Sequence, residues 1–275
     1  MTLRIRRLET ALLAGAAALI ALACFGPFVG QPANHHHFAD GRTLLGIPHA
    51  MDVLSNLPFA MWAALGAWGL LGLAPGALSP SQRSCAALFF VGLLVTTAGS
   101  SFYHWQPDDA GLAIDRLGMV LAFAGLLGLA LAGRISARAG VLTALAMLVF
   151  GPISVWVWAS TGNVLPWAVA QFGGMLVVLA LLALKPLPGA LHVRLGLVIF
   201  FYALAKLFEL ADHPIYDWSG QLLSGHTLKH VVASLAAWPV LSALTDHVRR
   251  GQNAPGYGQT KYGQARRGAR LDALV

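Results

Sequence analysis

Charged residues are scarce in this 275-residue chain, which carries only 11% Asp, Glu, Lys and Arg. Soluble domains average about 25%. Hydrophobic residues make up 57%, and the mean hydropathy is +0.67. This composition argues against a soluble enzyme, a nucleic-acid-binding protein and a disordered scaffold. It predicts an integral membrane protein.

Cysteine is also scarce, since Cys24 and Cys85 are the only two. They fall at opposite ends of separate hydrophobic runs, so we expect free thiols rather than a disulfide. Among the basic residues Arg outnumbers Lys by fourteen to four, and Ala, Gly and Leu dominate the apolar positions. This bias is typical of GC-rich coding and favours a bacterial source.

Uncharged runs of about 20 residues, the length that crosses a bilayer as a helix, recur along the chain. A 46-residue run from 139 to 184 is divided by the turn residues Ser160 to Asn163 and by Pro166. The sequence therefore predicts an all-α polytopic bundle of eight membrane helices, with an N-terminal helix before a seven-helix core. The predicted spans are Leu12–Val29, Val53–Ala74, Ser84–Tyr103, Leu117–Gly133, two within Ala139–Leu184, Val193–Leu210 and Gly225–Thr245.

The basic residues predict the orientation, because cytoplasmic loops carry an excess of Lys and Arg. With the N-terminus inside, fourteen of the eighteen fall on the inner side, and the other four are Arg42, Arg116, Lys206 and Lys229. Eight of the eleven acids fall on the outer side. We therefore expect cytoplasmic termini in the bacterial inner membrane, with the polar outer half facing the periplasm.

Four regions follow from this pattern. Residues 1–30 are predicted to form an N-terminal transmembrane helix or signal anchor, with a cleaved signal peptide as the alternative. Residues 31–49 form an outer segment, 50–246 the seven-helix domain, and 247–275 a disordered basic cytoplasmic tail whose arginines contact anionic headgroups.

Ionisable residues inside membrane helices are expensive and usually face a functional cavity. His226 and His230 lie four apart, so they share one helix face about 6 Å apart along the axis. His104 ends an outward helix at the same depth at which His226 begins an inward one. Three imidazoles with a water form the catalytic zinc pattern. The sequence thus predicts a metal site at His104, His226 and His230.

Ser100 and Asp115 are the candidate catalytic residues beside that site. Ser100 precedes His104 by four residues and shares its face, although a hydroxyl there also suits helix packing. Asp115 opens the next helix, where it has three possible roles: to orient a ligand imidazole, to act as general base, or to pair with Arg116.

These motifs, Ser100-x-x-x-His104, Asp115 and His226-x-x-x-His230, resemble the signature of the alkaline ceramidase branch of the CREST superfamily of seven-helix membrane hydrolases. The stretch Asp52 to Pro58 resembles the family's Ser-Asn motif in its first core helix. The resemblance covers about residues 38–246. A bacterial-type member is indicated, with an additional helix before the core.

The resemblance implies Zn²⁺ bound by His104, His226 and His230, with Ser100 and Asp115 around the zinc-bound water. It implies hydrolysis of the linear amide of a ceramide-like lipid, taken from the outer leaflet, to a fatty acid and a sphingoid-type amine. The segment Asn34 to Asp40 departs from the acidic calcium-binding segment of the animal enzymes, so the resemblance does not extend to calcium control.

Other functions remain open from the sequence. A hydrolase of another acyl lipid, or a receptor-like protein with a structural zinc, would use the same residues. A transporter would place polar groups in both halves of the membrane, whereas here they crowd one. His35, His36 and His37 suggest a second metal site, but consecutive side chains of an extended loop diverge, and the sequence shows no further anchor for one.

Overall fold

A computed structural model describes residues 3–252, with the side chains of 3–249, and this part of the chain is helical without β-strands. The predicted all-α fold is therefore confirmed. Within the described residues six helices are long and apolar enough to cross a membrane. They are Leu3–Phe25, Ala50–Leu71, Pro80–Trp105, Asp109–Arg134, Ala137–Thr161 and Gly225–Arg249. A shorter apolar helix, Leu165–Leu181, lies between the last two.

Local breaks divide several of these spans. In order the elements are α1 (Leu3–Phe25), α2 (Ala50–Leu54), α3 (Leu57–Leu71), α4 (Pro80–Trp105), α5 (Asp109–Arg134), α6 (Ala137–Thr161), α7 (Leu165–Ala168), a π-helical turn (Val169–Gly173), α8 (Gly174–Leu181), α9 (Leu195–Leu210), α10 (Asp212–Trp218), α11 (Gly225–Ser234), a 3₁₀ turn (Leu235–Ala237) and α12 (Trp238–Gln252).

Both ends of the chain differ from the prediction. Helix α1 begins at Leu3 instead of Leu12, because arginine is a good helix former and the basic start continues the same helix. Helix α12 runs to Gln252, so the tail predicted at 247–275 does not begin at 247. The remainder of that predicted tail, 253–275, lies outside the described residues.

The turn predicted at Ser160 to Asn163 is present. Gly162 ends α6 in the left-handed conformation, with φ of 76°, which glycine adopts without steric cost. The helices on either side then run as the antiparallel pair that a division of the 46-residue run requires.

Side-chain caps fix where the long helices begin. Ser79, Asp108, Ser136 and Ser224 each precede a helix and accept a hydrogen bond from the backbone N–H three residues later. Such caps satisfy one of the orphan donors of the first turn and typically contribute about 1 kcal/mol. The cap at Ser224 places His226 in the first turn of α11.

Helices α4 and α5 pack at backbone distance through glycines. A Cβ on Gly118 would lie 2.9 Å from Thr96 Cα, and one on Gly99 would lie 3.0 Å from the Ile114 carbonyl oxygen. Small residues allow this close approach between membrane helices. The crossing sets Ser100 and His104 of α4 against Asp115 of α5.

Contacts between loops define two ends of the bundle. At the end that carries His104, here called the site end, Val164 N donates to Val29 O at 2.8 Å. At the opposite end, Leu187 N donates to Gly133 O at 2.8 Å, and the His247 ring contacts Ala77 O at 2.6 Å. The loops between successive helices therefore lie alternately at the site end and at the opposite end.

Helix α1 is peripheral, since Ala23 is its single buried residue. By contrast, 78% of the most apolar window of α5 is buried. The core is thus assembled around α5. Helix α1 lies at the edge of this core, where Leu19 approaches Gly173 of the π-helical turn.

Candidate metal centre and cavity

Three buried imidazoles meet at the site end. His104 is the penultimate residue of α4, and His226 and His230 occupy successive turns of α11. Their ring centroids lie 4.8–4.9 Å apart, and one ligand nitrogen from each falls within 4.8 Å of the others. The predicted convergence of these histidines, here called the triad, is confirmed.

The spacing of the triad fits a metal ion. Nε2 of His104 and Nε2 of His226 lie 3.2 Å apart, while two nitrogens bound to one tetrahedral zinc at 2.0–2.1 Å are separated by about 3.3–3.4 Å. Imidazole donors suit zinc, copper, iron and nickel alike. The triad could therefore hold a transition-metal ion, and its donor set does not select one metal.

Ser55 orients one of these rings. Its hydroxyl donates to the Asp52 carbonyl oxygen at 3.0 Å and also lies 2.8 Å from His230 Nδ1. Because its proton is used on the carbonyl, the hydroxyl accepts from Nδ1–H, which leaves the lone pair of His230 on Nε2 for a metal. Such outer partners fix the tautomer of ligand histidines. Ser55 lies in the stretch that resembles the family's Ser-Asn motif, but that resemblance did not predict its contact with His230.

His104 is fully buried, but its Nδ1 has no hydrogen-bond partner among the described residues. Its orientation is set by packing instead, since Phe38 lies against both His104 and His226 with ring centroids 4.6 and 4.5 Å away. Phe38 belongs to residues 31–49, the segment before α2, and this segment therefore covers the triad. It is here called the covering segment. Nothing in the sequence pattern pointed to this phenylalanine.

Asp212 braces the same region. One carboxylate oxygen accepts from His226 N at 2.8 Å, and the other accepts from Ala39 N at 3.0 Å. Gly225 is required beside it, because a Cβ there would lie 2.7 Å from Asp212 Cα. The carboxylate thus links the start of α11 to the covering segment.

Asp40 and Arg42 rigidify that segment. The Arg42 guanidinium donates to both oxygens of the buried Asp40, at 2.8 and 2.6 Å. Burial alone would raise the pKa of Asp40, but the hydrogen bonds and charge of Arg42 hold that pKa below its usual value. The pKa of Arg42 is raised by the same hydrogen bonds.

A second buried carboxylate supports α11 from α2. Asp52 accepts from the Thr227 hydroxyl at 2.8 Å and from the Ser224 hydroxyl at 3.4 Å. Ser224 is also the cap of α11. Asp52 therefore connects the first core helix to the helix that carries His226 and His230.

A cavity of about 130 Å³ opens next to the triad. Its polar end is formed by Ser100, Asp115, Lys229, His230 and Asn56, and its walls are apolar. The walls are contributed by Phe59, Phe89, Leu93, Met119, Phe123, Leu126, Met175, Val198 and Tyr202, among others. A hydrocarbon chain fits such walls, while a polar group at the chain's end would meet the polar residues.

Ser100 and Asp115 lie side by side at that polar end. The alternative partner of Asp115 turns away: the Arg116 guanidinium lies 4.0 Å from the Trp158 ring centroid and donates to Gln31 Oε1 at 2.9 Å. No salt bridge joins Asp115 to Arg116 in the described part of the chain. The carboxylate is left facing the cavity.

Lys229 stands between the triad and an acid. Its Nζ lies 3.0 Å from Glu209 Oε1 and 3.2 Å from His226 Nε2, and Glu209 also pairs with Lys206. Since one lone pair of His226 cannot serve both Lys229 and a metal, a bound metal requires the ammonium to rely on Glu209.

Comparison with protein-family models and with curated protein sequences finds no match to this chain.

Proposed function

We propose that this protein is a zinc-dependent intramembrane amidohydrolase that cleaves the amide bond of a ceramide-like N-acyl lipid into a fatty acid and a sphingoid-type amine. The observation that carries the proposal is the junction of the triad with an apolar cavity at Ser100 and Asp115. The resemblance of the same residues to the alkaline ceramidase motifs supports it.

The proposed topology has eight membrane passes. Besides the six long helices, Leu165–Leu181 and α9 supply the two further passes, and the alternation of loop contacts between the two ends supports this count. The excess of basic residues at the opposite end supports cytoplasmic termini and a periplasmic site end. Reporter fusions after Thr245 should then read as cytoplasmic, and a periplasmic readout would overturn the orientation.

In the proposed reaction the chain's own residues bind the metal, transfer one proton and donate one hydrogen bond. A zinc ion held by the three Nε2 atoms would supply a Lewis acid that activates water and polarises the amide carbonyl. Asp115 accepts the proton released as the water oxygen bonds to the carbonyl carbon, and then delivers it to the departing amine nitrogen as the C–N bond breaks. Ser100 donates a hydrogen bond to the developing oxyanion.

The apolar walls take the acyl chain of the substrate and hold its amide at the polar end. Phe38 closes the triad from the loop side, which supports entry of the lipid sideways from the surrounding leaflet rather than from water. Burying the chain also excludes bulk water from the reacting carbonyl, which strengthens the electrostatic interactions there.

The test is release of fatty acid from a ceramide with a labelled acyl chain by the purified protein in detergent. We expect release that is abolished by a chelator and restored by zinc. His226→Ala should release none, whereas His192→Ala, an exposed histidine away from the triad, should match the wild type. Stoichiometric metal without hydrolysis of any N-acyl lipid would overturn the enzyme and favour a receptor-like protein with structural zinc.

A further inference from the structure

The covering segment before α2 contains three consecutive histidines, and the side chains of two of them, His35 and His36, lie together. The chain turns here: His35 N donates to Pro32 O at 3.1 Å, and His37 N donates to Asn34 O at 2.9 Å. The turn brings the rings of His35 and His36 to a centroid distance of 3.8 Å. The expected divergence therefore does not hold for His35 and His36, because the backbone here turns instead of being extended.

Both rings face one carboxylate. Nε2 of His35 lies 3.1 Å and Nε2 of His36 lies 3.2 Å from the same Oδ1 atom of Asp109, the first residue of α5. Asp109 supplies the anchor that the sequence alone did not reveal. Two imidazole nitrogens and a carboxylate oxygen within 4.8 Å of one another are suitable ligands for a divalent transition metal.

The hydrogen bond of the other ring nitrogen of His35, Nδ1, indicates that a cation lies between His35 and Asp109. His35 Nδ1 lies 2.6 Å from the Pro32 carbonyl oxygen, which can only accept, so Nδ1 carries a hydrogen. In the neutral ring Nε2 then holds a lone pair that points at a carboxylate oxygen. That contact is repulsive unless a cation, either a proton or a metal ion, lies between the two atoms.

His36 can take the same form. Its Nδ1 lies 2.9 Å from the Tyr103 hydroxyl, whose oxygen can accept a hydrogen bond and so leave Nε2 free for a metal. This is the arrangement in which an outer partner orients a ligand imidazole. Tyr103 is adjacent in sequence to His104 of the triad, although its hydroxyl points to the other cluster.

We propose that His35 Nε2, His36 Nε2 and Asp109 Oδ1 form a second divalent-metal site of the zinc class, here called the surface clamp. The Asp109 side chain is 70% exposed, so water completes the coordination and the ion exchanges with solvent. The clamp joins the covering segment to α5. Phe38, two residues after His36, rests on the triad, so occupancy of the clamp holds the cover in place. This proposal does not depend on hydrolase activity.

The experiment measures zinc bound per chain by equilibrium dialysis and elemental analysis of the full-length protein, at graded free zinc concentrations. Asp109→Asn keeps the shape of the side chain but removes its charge, and it should bind one equivalent less than the wild type. His35→Ala should lose the same equivalent. The matched control is Asp217→Asn, an exposed carboxylate near the same end, which should bind as the wild type does.

Hydrogen exchange gives an independent readout. Zinc should slow exchange of amides 34–46 in the wild type and in Asp217→Asn, but not in Asp109→Asn. Equal zinc stoichiometry in the wild type and Asp109→Asn would overturn the proposal and leave a proton as the cation between His35 and Asp109. The test of the surface clamp depends only on the difference in zinc binding between these variants. Its result is therefore independent of metal binding by the triad and of lipid hydrolysis.

Discussion

The two histidine clusters differ in the structures that hold them. The triad comes from the rigid helices α4 and α11 and is almost fully buried, with supporting contacts from Ser55 and Asp212. The surface clamp comes from a turn and one helix end, and its carboxylate is largely exposed. Similar ligands should therefore give a slowly exchanging metal in the first cluster and an exchangeable one in the second.

The largest expected effect separates the two clusters completely. His226→Ala or His230→Ala leaves two imidazoles in the triad, so each variant should lose the triad metal and all lipid-amide hydrolysis while keeping the zinc equivalent of the surface clamp. Metal analysis with the labelled-ceramide assay measures both. If either variant keeps the slowly exchanging metal, that histidine is not a ligand.

The next effect separates metal binding from chemistry within the triad's cavity. Asp115→Asn removes the proton acceptor but no ligand, so it should retain the triad metal and hydrolyse lipid amide about 100- to 10,000-fold more slowly, the usual contribution of a general acid–base residue. Ser100→Ala should show a milder loss. Asp115→Asn without triad metal would make the aspartate a ligand, and full activity would exclude its role as base.

A smaller effect concerns support of a ring. Ser55→Ala removes the acceptor for His230 Nδ1–H, and loss of such a partner typically lowers metal affinity about 10- to 100-fold. We expect the lower end of that range, because the ring remains buried by packing. Competition with a chromophoric chelator measures the affinity. Ser160→Ala, an exposed serine outside the cavity, is the control, and equal affinities for the two variants would contradict the role of Ser55.

The smallest effect concerns acid and the covering segment. The pKa of Asp40 is lower in the folded protein than in the unfolded chain, so its pairing with Arg42 stabilises the segment above the unfolded pKa of about 3.9 and is lost as the pH falls through the folded value. The protection of amides 38–46, measured relative to their intrinsic exchange rates at each pH, should therefore fall as the pH drops below about 4. Asp40→Asn should exchange faster at neutral pH and lose this dependence. If Asp40→Asn kept the pH profile of the wild type, the stabilising role of the pair between Asp40 and Arg42 would be contradicted.

The sequence predicted the triad because two rules were sufficient for it. Residues four apart share a helix face, and helices that begin and end at one membrane surface place their ends at one depth. The same reasoning placed Ser100 beside Asp115. These are properties of regular helices in a bilayer of fixed thickness, so no tertiary information was needed.

The features that the sequence did not predict depend on irregular backbone. The π-helical turn at Val169–Gly173 arises within an apolar run that carries no charge at that point. The break between α2 and α3 falls at Ser55 and Asn56, inside the predicted span Val53–Ala74. The fold of the covering segment, which puts Phe38 on the triad and His35 beside Asp109, depends on contacts between residues 66 or more positions apart. Periodicity carries no signal for such contacts.

The close hairpin of α4 and α5 has a consequence for the order in which the protein is made. Ser100, His104 and Asp115 all lie within this single hairpin, whose helices are separated only by residues 106–108. His226 follows His104 by 122 positions. During synthesis, His104, Ser100 and Asp115 therefore leave the ribosome long before His226 and His230 have been made. A metal held by all three imidazoles of the triad would consequently be captured late in biogenesis, only after α11 has joined the hairpin.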